Sequence, residues 1–272
     1  MTAGTIGSTG STRASSTRTA AIGSAALTTE YLLGAIHLEA RHLSGLLLDH
    51  PYPPLRALFV ADPVHADGPF RDLARDAYVR LLRLSADYVR FTVLALEAAG
   101  NVLRGRSSCR GDSDGQDALW SACLLRYARD EIDEGTGHEV WAWEDMAAIG
   151  APAELAGAGP RIAAVEYGRY FVDEAARHPY AVLGAKGVLE NLSIRAARPL
   201  LAGVARLGIA AGSDATRFAR HHGVLDEGHV REAEADLAWL DGDDRRRQIL
   251  DGAYVTSGMY RHLLHHYFPP AP

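Results

Sequence analysis

Lysine is almost missing from this sequence: Lys186 is the only one in 272 residues. Arginine carries the rest of the positive charge, and with 28 Lys and Arg against 34 Asp and Glu the chain is net −6. A nucleic-acid partner, which calls for a basic face, is not expected. Cysteine is scarce too. Cys109 and Cys123 make neither a disulfide framework nor a CxxC metal motif, so the chain fits a reducing cytoplasm. No apolar run reaches the roughly 18 residues of a membrane-crossing helix. Alternating apolar and polar segments and internal repeats are also missing, so neither a sheet nor a solenoid is expected. No acid occurs before Glu30. Residues 1–28 are mostly Ser, Thr, Gly and Ala with Arg13 and Arg18, and they lack the apolar core of a secretory signal. They are expected to be a disordered tail that cannot bury enough apolar surface to fold, with a transit peptide as the alternative. Residues 29–272 then form the folded domain.

What the chain has in quantity is apolar residues at helical spacing. They make up 47% of it and recur every three to four positions from residue 29 onward. Seven helical stretches follow. The first lies near 29–49 and is stopped by His50-Pro51-Tyr52-Pro53-Pro54. The second covers 70–103, followed by a polar loop from Gly105 to Gly115. The third covers 117–148, ended by Gly150-Ala151-Pro152. The fourth covers 160–177, broken at His178-Pro179. The fifth covers 180–207, with a kink expected at Pro199. The sixth and seventh cover 213–240 and 243–267. Long helices with short connectors imply an all-α bundle, a fold that places metals and cofactors between facing helices.

In three of these helices the centre of the apolar stripe is polar. On the third, Trp120, Leu124 and Tyr127 lead into Glu131, Glu134 and His138, and then Trp141. On the fifth, Leu183, Lys186, Gly187, Glu190, Ile194 and Ala197 share a face. On the sixth, Phe218, His222, Leu225, Asp226, His229, Ala233 and Leu237 do. Any one of these polar residues alone reads as a hydrogen-bonded core histidine or an acid reaching outward. Taken together they are ligand types, and a buried carboxylate without a partner is very costly. Two Fe(II) ions bring four positive charges. Glu131, Glu190 and Asp226 return three, and Glu134 is available as a fourth ligand or as a base beside the metal. His138, His222 and His229 add neutral donors.

Lys186 lies four residues before Glu190 on the same face. It is either a cation for a substrate carboxylate or a peroxide, or the ion-pair partner of Glu131, Glu134 or a surface acid. Arg195 and Arg198 are further candidates to meet a carboxylate. His221 points about 100° away from His222 and out of register with Asp226 and His229. His262, His265 and His266 read as surface or core-edge histidines. Gly135, Gly137, Gly223 and Gly228 surround the candidate ligands. A mid-helix glycine costs about 1 kcal/mol, so they imply either a helix able to unwind or close packing.

At these residues the chain resembles the haem-oxygenase-like di-iron oxidases and oxygenases. Their pattern is E-x6-H on one core helix, a lone Glu on a second and H-x3-D-x2-H on a third. Here these are Glu131 to His138, Glu190 in Gly-Val-Leu-Glu-Asn-Leu, and His222 to Asp226 to His229. The resemblance spans about residues 30–268. It implies a seven-helix haem-oxygenase-like bundle with a di-iron site between three mobile core helices. It also implies a ferrous pair that reacts with O2 to oxidise a small, often amino-acid-derived molecule in specialised metabolism. The expected function is therefore an O2-dependent non-haem di-iron oxidase acting on a small amino acid or amine. Aliphatic C–H oxidation, giving desaturation or ring closure, stands ahead of N-oxygenation. The implied cofactors are two Fe(II) ions with O2 as co-substrate; an external electron donor and a homodimer are both compatible. A non-catalytic iron-binding protein is the other class. Haem would not call for three buried acids. A thiaminase-like site would need an inward cysteine, and Cys123 lies two turns before Glu131.

Overall fold

The computed structural model describes residues 27–61, 68–110, 115–133, 138–157, 159–210 and 215–269. Nearly all of the expected N-terminal tail, and with it Glu134, Gly135 and Gly137, lies outside them. The described residues form ten helices: α1 (Thr29–Leu48), α2 (Pro53–Phe59), α3 (Gly68–Arg110), α4 (Gln116–Asp133), α5 (His138–Ala148), α6 (Ala153–Gly157), α7 (Ile162–Arg177), α8 (Ala181–Arg206), α9 (Arg217–Leu237) and α10 (Asp243–Tyr267).

The all-α expectation holds, and the count of seven helices does not. The first helix ends at Leu48, before His50-Pro51-Tyr52-Pro53-Pro54 as expected, and the Pro53-Pro54 pair also begins α2, because proline at the first turn lacks only an N–H that would be unbonded anyway. Of the loop expected from Gly105 to Gly115, residues 105–110 are the last part of α3, and 111–114 lie outside the described residues. One glycine is too small a penalty to halt a wound helix, and Ser107 and Ser108 donate their hydroxyls back to the Arg104 carbonyl. Of the helix expected over 117–148, the described residues give α4, up to Asp133, and α5, from His138, with residues 134–137 outside them. The short α6 was not expected, and α8 runs unbroken through Pro199. The bounds of α1, α7 and α10 follow the apolar periodicity closely. Thr28 caps α1 by accepting the Tyr31 N–H at 3.2 Å, worth about 1 kcal/mol. Gly150 and Gly208, at φ of 71° and 63°, sit just beyond α5 and α8. There the next residue's N–H reaches back to the carbonyls of Met146 and Val204, closing both helices with Schellman turns.

The long α3 packs along α4, α5 and α7, while α8 packs along α9, α10 and α1. Buried side chains from nearly all elements merge into one apolar core running from Leu32 to Phe268. Two polar ties set the frame. Arg83 and Asp87 of α3 pair at 2.8 Å, and Asp87 also accepts from the Tyr267 hydroxyl at the end of α10 and from the Arg161 N–H before α7. Asp145 of α5, fully buried, accepts the N–H groups of Arg217 and Phe218, each at 2.9 Å. It caps α9 from another helix, placing a carboxylate where the helix dipole favours one. Burial pushes Asp145 up to about 6, against the pull of those two N–H groups. Among the described residues no helix is long and apolar enough to cross a membrane.

Candidate metal centre

Three helices and one helix start bring the polar stripe centres together. Glu131 comes from the last turn of α4 and His138 from the first residue of α5. Lys186 and Glu190 come from α8, and His222, Asp226 and His229 from α9. Two ties outside the site fix α4 against α9. Arg126 pairs with Glu232 and with Asp236, the latter at 2.9 Å, and the Tyr127 hydroxyl donates to Asp236 at 2.6 Å. The tie between Asp145 and α9 sets His138 against His222, whose rings meet edge to face at 4.9 Å. Trp141, one turn after His138, stacks on it at 4.9 Å.

At the centre stands the one lysine. Its Nζ lies 2.5 Å from an oxygen of Glu131 and 2.5 Å from an oxygen of Glu190. The expected ion pair with Glu131 is therefore present, and Glu190 shares it. His138 Nδ1 lies 3.4 Å from the other oxygen of Glu131. His229 Nδ1 lies 3.3 Å from Glu190 and 3.6 Å from Asp226. Glu131, Glu190 and His229 each offer a donor atom within 4.8 Å of the other two, spacing that suits a metal ion. The Ser193 hydroxyl donates to Asp226. His222 Nδ1 lies 3.0 Å from the Phe218 carbonyl. A carbonyl only accepts, so in the neutral ring Nδ1 carries the proton and Nε2 keeps the lone pair a metal would use.

The electrostatics are unbalanced. Three carboxylates face one ammonium, all at least nine-tenths buried. Burial opposes ionisation of Glu131, but the Lys186 ammonium and the His138 ring overrule it and hold the carboxyl at about 2. Burial pushes Asp226 up, against His229 and Ser193. Burial likewise lowers His222, so its ring is neutral at pH 7. For Lys186 the two carboxylates outweigh burial and keep it charged. Glu190 Oε2 is buried and accepts no hydrogen bond from any described residue. An oxygen-and-nitrogen donor set, excess negative charge and an orphaned carboxylate oxygen together fit iron.

The six residues expected as ligands and Lys186 thus come from neighbouring turns around one chamber, and among the described residues Glu131, Glu190 and His229 are the three whose donor atoms lie within metal-holding reach of one another. Glu134 lies outside the described residues. Arg195 and Arg198 are exposed, as is His221, whose ring rests against Trp141 at 4.8 Å. His262, His265 and His266 are exposed on α10. The glycine expectation divides: a methyl on Gly223 would meet Ala197 at 2.7 Å, so it is there for close packing, whereas one on Gly228 would meet nothing within 4 Å. Two residues escaped the sequence reading. Ser193 stands one turn beyond Glu190 on the same stripe, a spacing that could have found it. Tyr88, from α3, lines the chamber with Phe171 and Leu189 and carries no sequence signal of its own.

A family model described as "Iron-containing redox enzyme" matches residues 120–260, a span holding every candidate ligand. Among solved structures the chain resembles a domain of unknown function with a heme oxygenase-like fold from Shewanella denitrificans OS217. The TM-score is 0.65 at 15% identity, covering 86% of this chain and 91% of that one. At that identity the likeness speaks for the fold alone. No curated protein matches.

Proposed function

Because the chain belongs to the family of iron-containing redox enzymes, we propose that it is an O2-dependent non-haem di-iron oxidase of a small amino acid or amine. Aliphatic C–H oxidation is its favoured chemistry. Glu131, His138, Glu190, His222, Asp226 and His229 are its ligands. The observation that carries this reading is the buried Glu190, which reaches Lys186 and His229 with one oxygen and leaves the other unpaired among the described residues. Such an oxygen is stable in a core only when a cation completes it. Two ferrous ions held there would supply the electrons that activate O2.

The chain's own residues do the rest. Ser193 orients Asp226 by its hydrogen bond, and the Phe218 carbonyl fixes the tautomer of His222. Tyr88, Phe171 and Leu189 line the chamber with apolar surface. Lys186, held between two carboxylates, keeps a positive charge beside the reacting centre. Glu134 is the base we assign to the segment between α4 and α5.

The test is an iron count per chain after anaerobic loading with Fe(II), for the wild type and for Glu190→Ala. Exposure to O2 with candidate amino acids and amines follows, with products read by mass. Two irons in the wild type and their loss in the variant are expected. A wild type that binds no iron, or a variant that keeps both ions, contradicts the assignment.

A further inference from the structure

Beside the chamber lies a second cavity of about 70 Å³. The two share Tyr88, Leu189, Ser193 and His222 as walls. The remaining wall is mostly apolar, with Leu81, Leu82, Leu192 and Leu200 prominent; Tyr78, Ser85 and Tyr260 add hydroxyls, and no Asp, Glu, Lys or Arg lines it. Two of its hydroxyls are already engaged: Tyr78 donates to the Ala215 carbonyl at 2.7 Å, and Ser193 donates to Asp226.

Size and polarity decide what it can hold. An ordered water wants two to four polar partners, and an apolar cavity of about 150 Å³ stays dry and takes a benzene ring or xenon. At about half that volume this cavity is too small for a ring. A small apolar molecule fits. We propose that the cavity is a binding site for dioxygen, holding the gas behind His222 and Ser193 and delivering it to the centre. This rests on the reading that O2 reacts at the neighbouring site. Glu131 and His138 line another, wider cavity of about 280 Å³ with Arg90, and it shares no wall with the apolar one. Gas and organic substrate therefore have separate approaches.

The test begins with xenon as the probe, on the metal-free protein, by ¹²⁹Xe NMR and in crystals under xenon pressure. One xenon against Leu82 and Leu192 is expected in the wild type, and none in Ser85→Leu or Ala219→Leu, which fill the cavity from α3 and α9. Stopped-flow mixing of the ferrous proteins with O2 follows. Filling a space worth about one methylene of apolar transfer is expected to slow the reaction about fourfold, with the iron count unchanged. Two filling variants guard against one that fails to fold. No xenon in the wild type, or undiminished O2 reactivity in a folded, xenon-free variant, overturns the proposal and leaves the iron centre standing. Propanol or butanol displacing xenon with affinity that grows per carbon makes the cavity a seat for a substrate side chain, which also overturns it. Xenon entry with ferrous protein inert to O2 removes the O2 reading of the centre, and this proposal with it.

Discussion

Asp87 and Glu190 are both carboxylates buried between helices of this bundle, but their surroundings differ. Asp87 meets Arg83 on one oxygen and two donors, from Tyr267 and Arg161, on the other. One charge answers one charge, and the knot ties α3 to α10 and to the start of α7. Glu190 shares a single ammonium with Glu131, stands near Asp226, and keeps one oxygen without a partner among the described residues. The first cluster completes itself inside the fold. The second is complete only with something added. A surplus of buried charge thus separates a ligand centre from a structural tie more sharply than burial or polarity alone.

The largest effect should come from breaking the closed cluster. Asp87→Ala takes away the carboxylate that faces the buried Arg83 guanidinium and should lower unfolding stability by about 3–5 kcal/mol in denaturant melts, with metal binding retained by the folded fraction. Breaking the open cluster should reverse this pattern. Glu190→Ala should weaken Fe(II) binding by about 100-fold or more, about 3 kcal/mol, since even residues that only support a ligand cost 10–100-fold. Its metal-free stability should fall little, because a surplus charge has gone. A wild-type-like affinity with lost stability would make Glu190 a second Asp87.

Lys186→Met should show the two clusters meeting in one residue. Losing the only cation leaves three carboxylates facing each other, and the metal-free protein should lose roughly 3 kcal/mol. Added Co(II) should restore more stability than in the wild type, and calorimetry should show tighter binding. Asp145 offers a test by pH. Its folded value of about 6 lies above the ordinary value of 3.8. The folded state therefore holds the proton more tightly, and this contribution is complete below about pH 4. It is lost as pH rises to about 6, so stability should fall by roughly 2–3 kcal/mol across that window. Melts of Asp145→Asn should lack this slope. The smallest effect is expected in α9: Gly228→Ala, with open space around it, should stabilise the helix by up to about 1 kcal/mol. Gly223→Ala, pressed against Ala197, should destabilise it.

Much of the centre was legible in the sequence because helical spacing is a strong constraint. His222, Asp226 and His229 fall at steps of four and three, and Glu190 is the only acid on the inner face of its helix. The limits were physical too. The step of seven from Glu131 to His138 fits two turns of one helix as well as two helices meeting, so spacing alone did not decide between them. Spacing put Ser193 on the stripe of Glu190, but a serine is common on any helix and its bond to Asp226, 33 residues away, is a tertiary contact that spacing does not reveal. The fold was legible as a class but not as a count, since prolines read as stops also begin α2. Lys186 was readable as inward, but its second carboxylate was not.

The scarcity of lysine has one more consequence. A reagent for primary amines applied to the folded protein has a single side-chain target, and that target is 4% exposed. ¹⁵N-labelled lysine gives a spectrum with one side-chain signal, which needs no assignment. The molecule carries its own reporter: whatever enters between Glu131 and Glu190 must register on one identifiable nitrogen atom.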